Sequence, residues 1–141
     1  MALKYNPKRW DVLICDFNTG FVFPEMIKER LVVIVSEQIK GELPLCRVVP
    51  LSGTEPPVIR PFHHKMHSHS LPDPFKNGDM WAKCDMICTV SLHRLSRVKI
   101  GKNRTTGERI YSVARAIPED IQGVKKAILH ALKMDTLTQH I

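Results

Sequence analysis

No stretch of the 141-residue chain approaches the roughly 18 consecutive apolar residues that a membrane-spanning helix needs. Its opening segment, MALKYNPKRWDVLICDF, places Lys4, Lys8, Arg9 and Asp11 where a secretory leader would carry an unbroken apolar stretch. A cytoplasmic protein is therefore expected. The four cysteines, Cys15, Cys46, Cys84 and Cys88, form no CxxC pair, which argues against a zinc ribbon or a thioredoxin-like site and leaves reduced structural thiols as the expectation. There is no HExxH, no internal repeat, and no alternation of strands with helices of the kind a doubly wound sheet requires. Acidic residues are also in deficit. Lys and Arg number 21 against 14 Asp and Glu, a net charge of +7 that favours association with polyanions. With 43% hydrophobic and 25% charged residues, the chain has the composition of one ordinary folded, soluble domain, and residues 1–141 are taken as a single unit.

Asp11–Phe17 and Leu31–Ser36 are short runs rich in Val and Ile, bounded by turn formers, which predicts buried strands. Leu45–Pro50 follows Gly41 as a third. Trp81–Val90 alternates, with Ala82, Cys84, Met86 and Cys88 on one face, and predicts a long fourth strand with Lys83 and Asp85 on the other side. Arg97–Lys102 and Glu108–Ala114 flank Asn103-Arg104-Thr105-Thr106-Gly107 and predict a hairpin. After Pro118 the period changes, and Ile121, Val124, Ile128, Leu129 and Leu132 recur at helical spacing, with Glu119 and Asp120 complementing the helix dipole. The fold class is mainly β with a C-terminal α-helix, a small barrel or compact α+β unit of about six strands.

Two segments fit neither a strand nor a helix. Asn18–Glu29 links the first two strands, and residues 53–80 form a long insert rich in Pro and His. Loops of this length in a small domain usually carry function. Within the insert, Phe62-His63-His64-Lys65-Met66-His67-Ser68-His69 holds four of the seven histidines. It lacks a partnering Cys at ligand spacing and contains a Lys, so no metal is assigned, and His63 and His64 are taken as RNA-facing candidates. Arg30 stands at the entrance of a strand, where a guanidinium can fork onto phosphate oxygens.

Taken together, YNPKRWDVLICDF, PEMIKERLVVIVS, CRVVPLS and GDMWAKCDMICTVSLHRL occur in the order and spacing of the PemK/MazF toxins of type II toxin–antitoxin systems, which the chain resembles from about Pro7 to the last helix. The resemblance implies an SH3-like β-barrel of the kind shared with the CcdB gyrase poisons. It also implies a homodimer, a cognate antitoxin protein, and cleavage of single-stranded mRNA without cofactor or metal. Carried over residue by residue, it puts the catalytic arginine on Arg30, the acidic residue five positions earlier on Glu25, and the hydroxyl on Ser52, with Thr54 close by as a substitute. The Arg-Cys-Asp block of PemK-like members falls on Lys83, Cys84 and Asp85. Three positions depart from the family: Leu31 replaces a usual proline, Trp10 a common glycine, and Lys83 an arginine.

Metal-free cleavage uses the substrate's own 2′-hydroxyl as nucleophile, with a base, a cation for the phosphorane and an acid for the departing 5′-oxygen. Arg30 suits the cation, Asp85 or Glu25 the base, Ser52 a hydrogen bond to the scissile phosphate, and Lys83 the acid or a second clamp. Phe21, Phe23 and Trp81 are candidates for stacking on splayed bases. Three other readings stay open: a toxin of the same fold that acts on a protein target, a catalytically silent RNA-binding homologue, and a metalloenzyme built on the His cluster, which chelator-sensitive activity would reveal.

Overall fold

The computed structural model describes residues 6–112 and 114–141. Nine strands and one helix make up its regular structure: β1 (Val12–Asp16), β2 (Glu29–Ser36), β3 (Leu45–Ser52), β4 (His63–Lys65), β5 (Trp81–Lys83), β6 (Cys88–Ser91), β7 (Leu95–Ser96), β8 (Lys99–Lys102), β9 (Arg109–Tyr111) and α1 (Pro118–Ala131). A seven-stranded sheet runs β4-β5-β3-β2-β1-β7, and β6 also pairs with β3. The outer strands β4 and β7 do not pair with each other, so the barrel is open. β8 and β9 form a separate two-stranded ribbon.

β2 explains why LVVIVS is continuously apolar. Its odd residues, Leu31 and Val33, join a core that includes Val124 and Ala127 of α1. Its even residues, Val32 and Ile34, join a second core with Cys15, Phe17, Cys46, Val48, Val90 and Leu95. A strand covered on both faces has no solvent side to alternate with.

The expected long strand Trp81–Val90 is broken. β5 pairs with the C-terminal end of β3 and β6 with its N-terminal end, and a 3-10 turn over Cys84–Met86 separates them. The turn keeps Cys84 buried, with its Sγ 3.9 Å from the Val124 carbonyl, and leaves Asp85 exposed. The Pro/His-rich segment also has more order than its composition suggests. It contributes β4, which pairs with β5, and two 3-10 turns at Ser68–Ser70 and Asp73–Phe75.

Asp120 anchors that segment. Its carboxylate lies in the first turn of α1, is 2% exposed, and accepts from His64 Nε2 at 2.8 Å, the His67 N–H at 2.9 Å and Ser70 Oγ at 2.5 Å. Ser70 Oγ in turn accepts the Ile117 N–H at 2.9 Å, tying the turn to the residue before the helix. The sequence pattern assigns Asp120 to dipole compensation, whereas the fold uses it as a buried acceptor for three donors. The His64 ring lies directly on Gly123, where any Cβ would collide with it.

Trp10 holds a left-handed φ of +76°, which gives a physical reason for glycine at this position in the family the chain resembles. Here the indole, 9% exposed, packs into the helix-side core, and Lys125 Nζ stands 5.9 Å above it. Burial of that ring offsets a backbone cost of about 1 kcal/mol. Leu31, in place of the usual proline, is 3% exposed and pairs with Ile14, adding a core side chain without breaking the strand.

The four thiols are free. Burial pushes Cys15 and Cys84 up to about 12 and Cys46 up to about 11 from an ordinary value of 9.0, and Cys88 is raised as well. The unfolded chain releases these protons near pH 9 and the folded chain retains them, so stability is full below pH 9 and declines as pH rises from 9 towards 12. The urea midpoint should fall over that range. Iodoacetamide should leave Cys15, Cys46 and Cys84 unlabelled in the native protein at pH 8 and label all three once it is unfolded.

Candidate functional site

Arg30 lies near the start of β2, opposite Cys15 of β1, and projects to the same face as Val32 and Ile34. The β2–β3 register pairs Val32 with Pro50, Val33 with Val49 and Ile34 with Val48. Pairing between β2 and β3 ends at Val32 and Pro50, and Arg30 and Ser52 are the next residues of the same face on the two strands, beyond that last pair. Ser52 in turn pairs with Trp81, and Trp81 with Lys65. Ser52, Trp81 and Lys65 thus form one row across three strands, and Arg30 lies on the same face of the adjacent strand β2. The neighbouring row contains Lys83 opposite His63, and Asp85 follows in the turn.

The chemistry of this face is specific. Arg30 Nε donates to the Ile27 carbonyl at 3.2 Å, which fixes the guanidinium and leaves its two terminal nitrogens without a partner among the described residues. Ser52 is 8% exposed, and its Oγ accepts the Thr54 N–H at 3.2 Å, so the hydroxyl proton remains available for donation. Thr54 itself is exposed, so here it orients Ser52 through its backbone. Trp81 is 6% exposed, and its indole Nε1 is enclosed with no partner among the described residues. Its ring is a wall of the site, flanked by Lys65 Nζ at 6.0 Å, and not an open stacking surface.

His63 and His64 separate. Successive strand residues point to opposite faces, so His63 joins Lys83 and Asp85 while His64 turns under the sheet to Asp120. His64 is therefore not placed to meet a ligand on the Arg30 face. Burial holds the His63 imidazole below its ordinary value, with Asp85 opposing and Lys83 and Arg60 assisting. Its Nδ1 accepts the Arg60 N–H at 3.0 Å, so the neutral ring carries its proton on Nε2. Of the other two histidines in this cluster, His67 Nδ1 accepts the His69 N–H. Among the described residues no three His, Cys, Asp or Glu side chains converge as a metal site.

The 18–28 loop closes over the second core. Glu25 Oε1 accepts the Val22 N–H at 3.0 Å, which shapes the loop and leaves the other carboxylate oxygen free. Phe21 packs edge-on to Phe17 and lies under the Arg94 guanidinium at 4.9 Å, while Phe23 is 77% exposed at the loop tip. Only Phe23 presents an open ring. Arg94, which the sequence pattern does not single out, also donates to the Asp16 carbonyl at 2.9 Å and so pins both ends of this region. The only sequence signal for it is a cation following the fourth apolar run.

The sequence profile of the PemK-like, MazF-like toxins of type II toxin–antitoxin systems matches residues 8–128. An uncharacterised Escherichia coli (strain K12) protein, YifN, is 30% identical over 147 aligned residues that cover 88% of this chain and 97% of YifN. Among solved structures, MazF from Deinococcus radiodurans superposes with a TM-score of 0.64 at 14% identity, covering 93% of this chain and all of that one. A mycobacterial endoribonuclease in complex with its cognate antitoxin gives 0.59 at 20% identity, covering 91% and 96%. The mainly β fold with its C-terminal helix is thus that of MazF structures, and the chain belongs to the PemK-like, MazF-like toxin family of type II toxin–antitoxin systems.

Proposed function

We propose that the protein is a metal-independent, sequence-preferring endoribonuclease that cleaves single-stranded mRNA and is neutralised by a cognate antitoxin. The observation that carries this reading is a fixed guanidinium, its terminal nitrogens free, on the same sheet face as a serine of the adjacent strand whose proton is free. A fork of that kind matches two oxygens of one phosphate. Solved relatives described as endoribonucleases, one of them bound to its antitoxin, support the same reading. A homodimer belongs to it as well.

In the proposed reaction a carboxylate removes the 2′-hydroxyl proton, and the 2′-oxygen attacks the adjacent phosphorus. Arg30 and Ser52 stabilise the charged phosphorane. The bond from phosphorus to the 5′-oxygen breaks, and Lys83 supplies the proton that oxygen takes up. The products are a 2′,3′-cyclic phosphate and a 5′-hydroxyl. The two candidate bases are Glu25 on the 18–28 loop and Asp85 on the Cys84–Met86 turn.

The test is to incubate the purified protein with a long single-stranded RNA in EDTA, then map product ends by primer extension. Discrete sites with 5′-hydroxyl and cyclic-phosphate ends are expected. Intact RNA with a folded, antitoxin-free protein would overturn the proposal in favour of a protein target. Glu25→Gln and Asp85→Asn tell the two bases apart: the base variant should lose about 100-fold or more in the cleavage step, and the other much less.

A further inference from the structure

The β8–β9 ribbon is more elaborate than the core requires. It pairs with no strand of the main sheet, and most of its residues are exposed, including Ile100 at 41% and Ile110 at 44%. A two-stranded hairpin alone is marginal in water, so one held out from the body points to a role in contact with a partner. Its root is secured where Val98 enters the helix-side core and its carbonyl accepts the Ser112 N–H at 2.7 Å. Its tip is preshaped. Asn103 Oδ1 accepts the N–H groups of Thr105 and Thr106, and Gly107 turns the chain with a φ of +74°.

Charge is concentrated on this ribbon. Arg97, Lys99, Lys102, Arg104 and Arg109 face a single carboxylate, Glu108, within residues 97–111, a net +4 of the chain's +7. Lys99, Lys102, Arg104 and Arg109 make no ion pair with any described residue, whereas Lys65, Lys76 and Arg115 each do. At the ribbon's root a cavity of about 230 Å³ opens, with His69, Lys76, Ile100 and Tyr111 among its walls, and the Arg97 guanidinium lies 4.6 Å from the Tyr111 ring.

We propose that this ribbon is a second RNA-binding element, which holds the strand flanking the scissile bond through its phosphates and receives an unstacked base in the cavity at its root. The proposal rests on the endoribonuclease reading above. Spaced cations along an exposed ribbon suit a phosphate backbone, and a small pocket walled by rings suits a splayed base. The two exposed isoleucines do not make the continuous apolar groove that a peptide helix would need. Val98 at the ribbon's root and Leu71 of the cavity wall belong to the helix-side core, whereas Arg30 shares the opposite face of the sheet with Val32 and Ile34, so RNA seated on Arg30 would pass round the edge of the sheet to reach the cavity.

The test uses Lys99→Gln, Lys102→Gln, Arg104→Gln and Arg109→Gln together. Arg97 is left intact. Binding of a long single-stranded RNA in EDTA, measured in an Arg30→Ala background so that nothing is cut, should weaken at least about tenfold. The slope of log affinity against log salt should shrink by about 3, from about 0.7 per phosphate contact. With Arg30 restored, cleavage of long RNA should show a raised KM and an unchanged kcat, while a short oligonucleotide spanning only the cut site is cleaved as before. The charge-conserving set Lys99→Arg, Lys102→Arg, Arg104→Lys and Arg109→Lys should retain full binding. Unchanged affinity and salt slope in the neutralised variant would overturn the ribbon proposal and leave the endoribonuclease reading intact. Undiminished RNA binding with lost binding of a poly-glutamate peptide would overturn it in favour of an acidic protein partner. Failure of the parent protein to cut any RNA would instead remove the catalytic reading, with the binding result still deciding the ribbon.

Discussion

Arg30→Ala should reduce RNA cleavage by at least about 100-fold, because a well-placed donor to a developing phosphorane contributes about 3 kcal/mol and alanine supplies none. The loss should fall on kcat, since the terminal nitrogens act on charge that develops only in the transition state. Arg30→Lys should recover part of it, because a lysine keeps the charge and loses the planar fork. The fold should survive, because what the side chain gives the protein is one hydrogen bond to the Ile27 carbonyl. A melting temperature within a few degrees of the parent, together with the loss of cleavage, is the expected pair of results. Cleavage at the parental rate by Arg30→Ala would remove Arg30 from the reaction.

The second large effect concerns stability. Asp120→Ala removes the acceptor for His64, the His67 N–H and Ser70 at once, leaving the buried Ser70 hydroxyl and two part-buried donors without it. Disrupting a buried charged network of this kind costs about 3 kcal/mol. For a chain of this length that corresponds to a fall in melting temperature of about 10 °C. Calorimetry or urea unfolding would measure it, and a cost below about 1 kcal/mol would show that the network is not what holds the 63–70 segment to α1. Gly123→Ala provides an independent check, since its Cβ collides with the His64 ring. It should destabilise the parent protein and be nearly neutral in a His64→Ala background, a coupling that a double-mutant cycle reads directly.

Much of the architecture is legible before any coordinates. The strands at Asp11–Phe17, Leu31–Ser36 and Leu45–Pro50, the hairpin around Asn103–Gly107 and the helix after Pro118 appear within one or two residues of where local pattern puts them, apart from the end of the hairpin's second strand, which is Tyr111 where Ala114 is expected. These are segments in which periodicity, turn formers and β-branched content agree. Trp81–Val90 is the instructive exception. The expected single face of Ala82, Cys84, Met86 and Cys88 is split: Ala82 and Cys84 join the helix-side core, with Cys84 against Val124 of the helix 40 residues later, whereas Met86 and Cys88 pack on the second core beyond the 3-10 turn. No local rule contains that contact. The Pro/His-rich segment misleads in the opposite direction, because its order comes from Asp120, about 50 residues further along.

The candidate site divides in the same way. The resemblance to the PemK/MazF toxins, carried by spaced sequence blocks, brings forward Arg30, Ser52, Glu25, Lys83 and Asp85, and their chemistry suits a phosphate-handling site that needs a forked cation, a hydroxyl and carboxylates. Sequence alone does not put them on one face. Strand registers put Ser52 and Lys83 on the face of Arg30, whereas Glu25 and Asp85 stand in a loop and a turn, and a one-residue slip in the β2–β3 or β3–β5 register would turn Arg30 or Trp81 to the helix side. The same rule separates adjacent His63 and His64, one beside Lys83 and the other under the sheet. The order and composition of the sequence by themselves determined a basic, mainly β protein with one closing helix, because charge and periodicity are properties of the chain. Which cations are left unpaired, which aromatic ring is open and which carboxylate is buried were decided only by tertiary structure, because burial and partner choice depend on residues distant in sequence.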